Sequence, residues 1–133
     1  MPFTPEPPDR AAGVDVFEAW ACPDRYAGAD APGTVQAVPG TLPVLLTAPH
    51  AAAHTRAWGR KGADVATGGL ALTAALTSSA HALVATGFQT RDSNRVGDGP
   101  FKAALAAQIR RVCTVIDVHG MRATGNSDFG EVM

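Results

Sequence analysis

Three short apolar runs, each closing on a polar cluster, constrain the fold of this chain more than any other feature. They are LPVLLTAPH (42–50), HALVATG (81–87) and VCTVIDVHG (112–120). Runs this short, rich in Leu and Val and bounded by Pro, Gly or charged residues, read as strands of a sheet. Two segments with helical spacing separate them. From about Gly62 to Ser78, Val65, Leu72 and Leu76 recur at helical intervals among many alanines, although Gly68-Gly69 weakens a helix by about 1 kcal/mol per glycine. The other helix follows a polar loop, TRDSNRVGDG (90–99). Asp98 or Gly99 caps it, Pro100 falls in its first turn, and Phe101, Leu105 and Ile109 form its buried stripe. The order strand, helix, strand, helix, strand predicts right-handed crossovers and an α/β fold of three layers, with a mostly parallel or mixed sheet and helices on both faces.

The first 41 residues are of another kind. Residues 1–8 are rich in proline and residues 21–40 in Gly, Pro and Ala, which reads as arm and loop. Within them VDVFEAW (14–20) and TVQAV (34–38) are expected to be short strands, since Val, Phe and Trp suit a pleated surface. The expected organisation is an arm with short strands over 1–41 and an α/β core over 42–133, one domain overall, because 133 residues supply one core. With 11 Lys+Arg against 12 Asp+Glu there is no basic field for a phosphate backbone, so nucleic acid is not an expected partner. The longest apolar stretches, Leu42–Ala48 and Leu70–Leu76, fall short of the roughly 20 residues that span a bilayer. The start MPFTPEPPDR lacks a signal-peptide layout, and a cytoplasmic chain without membrane contact is expected. Cys22 and Cys113 sit in no metal-binding or disulfide pattern and read as free thiols, Cys113 as an inert core residue.

Sites in parallel sheets gather beyond the carboxyl ends of the strands. Three clusters fall there: Pro49-His50, Asp92-Ser93-Asn94-Arg95 and Asp117-Val118-His119-Gly120. His50 and His119, at the ends of two strands, can face one cavity, and neutral imidazole is a good Zn²⁺ ligand. A catalytic zinc takes about three protein ligands, so a third is needed, and His54 and Asp64 are the candidates. His54 completes H-x-x-x-H, which puts both imidazoles on one face if helical, yet His54-Thr55-Arg56 also suits a solvated loop. Asp64 lies near a helix start, where the helix dipole favours a carboxylate, so capping is as natural as ligation. Asp117 shares a face with His119 by strand period and can orient its ring or a nearby loop. His81, beside a helix end, is expected at the surface. Asn94 and Arg95 suit a substrate-holding loop, the guanidinium gripping a carboxylate through two hydrogen bonds; the alternative is an Asx-turn with an exposed arginine.

Taken together, A-P-H (48–50), K-G-A-D-x-x-T-G (61–68), D-S-N-R (92–95) and D-V-H-G (117–120) resemble the N-formylglutamate amidohydrolase family over about residues 42–130. The resemblance implies a phosphorylase/hydrolase-like, zinc-carboxypeptidase-like domain with zinc on His50 and His119 and the substrate carboxylate on Asn94 and Arg95. Zinc carboxypeptidases use H-x-x-E, but the third residue after His50 is Ala53, so Asp64 is the preferred acidic ligand. Glu131, the late glutamate, is the candidate general base. Family members are longer, which implies a truncated fragment or a shortened descendant. The expected activity is zinc-dependent hydrolysis of an N-acyl amino acid or similar small acidic amide. The rival expectations are an inactive fragment or non-catalytic metal- or ligand-binding α/β domain, and a metal-free α/β interaction module.

Overall fold

A computed structural model describes residues 13–21 and 33–121. The two most apolar runs form its central strands, β2 (Val44–Ala48) and β5 (His81–Ala85), which pair in parallel, Leu46 opposite Ala82. On the far side of β5 lies β1 (Val35–Val38), antiparallel to it. On the far side of β2 lies β6 (Thr114–Asp117), parallel to it. The result is a four-stranded mixed sheet in the order β1-β5-β2-β6.

Strand alternation divides the core into two faces. Leu46, Ala48, Ala82 and Val84 pack with Leu72, Ala75 and Leu76 of α2 (Thr67–Ser78) and with Phe17 of α1 (Val14–Ala21). Leu45, Leu83 and Ala85 turn to the opposite face and pack with Phe101 of α3 (Pro100–Ile109). Helices therefore cover both faces. Leu45, Leu72 and Leu83 are wholly buried, each stabilising the fold by about 1.5–3 kcal/mol. No helix among the described residues is long and apolar enough to cross a membrane.

Several expectations need correction. Residues 14–21 form a helix, not a strand: Val14, Phe17 and Glu18 recur at helical spacing, and this face packs on α2, overriding the β preference of Val and Phe. Gly69 shows why α2 carries a glycine in its first turn. A Cβ there would stand 2.8 Å from Glu18 Cβ and 2.8 Å from the Val14 carbonyl oxygen, so glycine lets α1 approach. The Gly69 N–H donates to the Glu18 carboxylate at 3.2 Å, which supplies a capping partner that Ala66 cannot. The second helix starts at Thr67 and leaves Val65 exposed.

His81 is buried, not at the surface: its Nδ1 accepts the Gly40 N–H at 3.2 Å. The expected stripe on α3 reduces to Phe101, which is buried, and partly buried Leu105; Ile109 is exposed. Gly99 (φ 104) takes the cap position and Pro100 the first turn. Cys113 is an exposed free thiol rather than a core residue, because β6 is the outermost strand among the described residues and all four of its residues are exposed. Cys22 lies outside the described residues.

Candidate metal centre

The carboxyl ends of β2 and β6 are adjacent, and main-chain bonds hold the segments just beyond them. Val118 N–H donates to the Thr47 carbonyl at 2.8 Å, extending the β2–β6 pairing to the residue before His119. Asp64 N–H donates to the His50 carbonyl at 2.8 Å. A small hairpin, β3 (His54–Arg56) with β4 (Gly59–Lys61), lies between His50 and Asp64 in the chain and sets His54 opposite Lys61. Gly120 N–H donates to Asp64 Oδ2 at 3.1 Å, and a Cβ on Gly120 would meet Asp64 Cβ at 3.0 Å. The glycine of D-V-H-G thus permits a close approach to Asp64.

His50, Asp64 and His119 converge. The Nδ1 atoms of both histidines stand 3.6 Å from Asp64 Oδ2, and the rings meet edge to face with centroids 5.0 Å apart. The other nitrogen of each ring is held by a carboxylate. His50 Nε2 lies 2.8 Å from Asp92 Oδ1, and His119 Nε2 lies 2.7 Å from Asp117 Oδ2. Asp117 therefore orients His119, as period two places it, and Thr47 Oγ1 donates to its second oxygen. Lys61 Nζ donates to Asp64 Oδ1 at 2.8 Å, leaving Oδ2 toward the histidines. Burial works to raise the Asp64 carboxyl, but the bonds from Lys61 and Gly120 outweigh it and hold it below its ordinary range. Asp64 is no cap: Ala66 takes the N-cap position of α2, with no side-chain hydrogen bond.

The opposite edge of His50 faces a second, deeper group. His54 is wholly buried and stacks on His50 with centroids 4.2 Å apart; it begins a strand, not a helical H-x-x-x-H face or a solvated loop. Its Nε2 lies 3.7 Å from Asp92 Oδ2. Burial is the largest influence on His54 and, with the neighbouring His50, lowers its pKa to about 4, so the ring is neutral at pH 7. Burial works to raise Asp92 too, but hydrogen bonds from His50 and the Asn94 N–H outweigh it and bring the carboxyl down to about 2. Arg56 Nε donates into this group at 3.1 Å from both His54 Nε2 and Asp92 Oδ2.

Both groups, His50/His54/Asp92 and His50/Asp64/His119, bring a ligand atom from each residue within 4.8 Å of the others and could hold a metal ion. Sequence pattern marks neither Asp92 nor Arg56 as a ligand. The D-S-N-R loop marks the region, but only burial reveals that its aspartate faces inward. Asn94 N–H bonded to Asp92 Oδ1 at 3.0 Å is an Asx-turn, while the Asn94 amide reaches His119 Nε2 at 3.1 Å. Arg95 is 80% exposed along its side chain, with Nε 3.7 Å from Asp92 Oδ2. Together with Arg56, Ala57 and Trp58 it lines a cavity of about 150 Å³. Glu131 lies outside the described residues. Compared with family models, curated proteins and solved structures, the chain matches none.

Proposed function

We propose that the protein is a zinc-dependent amidohydrolase of N-acyl amino acids or similar small acidic amides, N-formylglutamate-like in size and charge, with the ion held by His50, Asp64 and His119. One observation carries the reading: two imidazole Nδ1 atoms each stand 3.6 Å from a shared carboxylate oxygen, and the Nε2 of each ring is backed by a further carboxylate. Donors about 2.0–2.2 Å from a tetrahedral zinc stand about 3.3–3.6 Å apart, so these separations suit that ion with little movement. The backing carboxylates keep the proton on Nε2 and the lone pair on Nδ1, the tautomer a metal requires. The order of A-P-H, K-G-A-D-x-x-T-G, D-S-N-R and D-V-H-G along the chain, and the placement of His50 and His119 after adjacent strands, support a zinc-carboxypeptidase-like form of the fold.

When bound, the ion supplies a Lewis acid for the scissile carbonyl and makes water a nucleophile near neutral pH. The chain's own residues set the rest. Lys61 keeps Asp64 presenting one oxygen to the histidines. Asn94 marks the rim beside His119, and the exposed guanidinium of Arg95 pairs with the substrate carboxylate. Around Asp92 two guanidiniums face one carboxylate, which leaves a positive excess suited to an anion. The test is hydrolysis of N-formylglutamate and of matched neutral amides with added Zn²⁺, alongside metal analysis of wild type and His119→Ala. Turnover of the anionic amide, with zinc lost in the variant, is expected. Zinc bound without turnover of any N-acyl amino acid would leave a non-catalytic metal-binding domain instead.

A further inference from the structure

His50 offers one ring nitrogen to each of two donor groups, and an imidazole so placed is able to bridge two cations. The deeper group already contains a cation of its own. Arg56 Nε is 3.1 Å from His54 Nε2 and 3.1 Å from Asp92 Oδ2, the pair of donors that face each other across 3.7 Å. That separation is close to the roughly 3.3–3.6 Å edge of a tetrahedral zinc site, so the donors are spaced for a metal while a guanidinium bonds them. The tautomer points the same way. Because Arg56 Nε–H donates, His54 Nε2 must accept, which places the ring proton on Nδ1. Nδ1 is buried without a hydrogen-bond partner among the described residues. The fold thus leaves a buried N–H unsatisfied and keeps the Nε2 lone pair turned toward the cation's position.

We propose that the Arg56 guanidinium is the resident cation of the His50–His54–Asp92 group and holds the chain to one metal ion by occupying the place of a second. A guanidinium is charged at every working pH and its position is set by the chain, so no metal has to be acquired there. Without it, Asp92, His54 Nε2 and His50 Nε2 can take a divalent ion, with His50 losing its Nε2 proton to solvent and bridging the two sites. The starting count of one rests on the proposed zinc site of His50, Asp64 and His119; the increment does not.

The experiment is zinc and cobalt stoichiometry by elemental analysis after dialysis, on wild type, R56A, R56A/R95A and R56A/R95A/H54A. The R95A change is included because Arg95, 3.7 Å from the same Asp92 oxygen, can swing inward to replace the lost guanidinium. R56Q/R95Q, which keeps side-chain volume, serves in place of the double alanine variant if that one does not fold by circular dichroism. The expected result is one additional equivalent of metal, a doubling from one to two, in R56A or in the double variant, and its loss when H54A is added. An unchanged count in the folded double variant overturns the proposal, and so does an increment that survives H54A. A wild type with no metal and a double variant with one equivalent would sink the reading of His50/Asp64/His119 while supporting this one.

Discussion

The two edges of the His50 ring face regions built from the same residue types and treated in opposite ways. On the Nε2 edge, His54 and Asp92 are buried, the Asp92 carboxylate pairs with Arg56, and His50 Nε2, His54 Nε2 and Asp92 each have a partner within the protein. On the Nδ1 edge, Asp64 Oδ2 lies 3.6 Å from each of the two histidine nitrogens, and His119 remains about a third exposed. Histidines and carboxylates therefore do not by themselves make a metal site. What matters is whether the fold has already supplied a cation. Where a guanidinium fits between the donors the group is complete; where Lys61 takes only the outer oxygen of Asp64, the inner oxygen still faces two lone pairs.

The largest effect should come from the residue both regions share. His50→Ala removes a ligand from one group and the closest partner of buried Asp92 from the other, so metal is lost and stability falls by about 2–4 kcal/mol, read from denaturant midpoints. His119→Ala should separate the regions: metal is lost, but stability of the metal-free protein changes by no more than about 0.5 kcal/mol, since the ring is partly exposed. An equal loss of stability in the two variants would erase the distinction between the two edges. Asp117→Asn should weaken zinc by about 10–100-fold in competition titrations, because it only orients His119. Arg95→Ala should raise KM for anionic amides and leave neutral ones unchanged.

Acid should act on the buried edge in two steps. Folding lowers His54 from its ordinary 6.5 to about 4, so between those values the unfolded chain binds more protons. Its contribution is therefore full above pH 6.5 and shrinks as pH falls toward 4. Asp92, lowered from 3.8 to about 2, contributes fully above pH 3.8, and that contribution is lost as pH falls to about 2. His54→Asn should flatten the upper step and keep the lower one in urea midpoints measured across pH on metal-free protein. An upper step of unchanged size would remove His54 as its cause.

Much of this architecture is legible in the chain. The apolar runs at 42–50 and 81–87 become the central strands, and Pro49-His50 and Val118–Gly120 fall beyond adjacent strand ends, as parallel topology requires. Asp64 can be named but not decided, since a carboxylate before a helix suits capping as well as ligation. The helix at 14–21 is not legible, because its spacing competes with β-favouring Val and Phe and is settled only by packing against Gly69. His81 and Cys113 depart from expectation for one reason: burial depends on which described strand is outermost in the sheet and which loop folds over it.

Local pattern alone thus determined the order β2, α2, β5, α3, β6, the α/β class and the two histidines after β2 and β6, because strand and helix periods and strand-end chemistry are properties of neighbouring residues. The tertiary structure alone decided that Asp92 faces inward, that Arg56 bonds to it and that one edge of His50 remains available. Those depend on distances between segments far apart in the chain, and the electrostatics of buried charge are set by such distances.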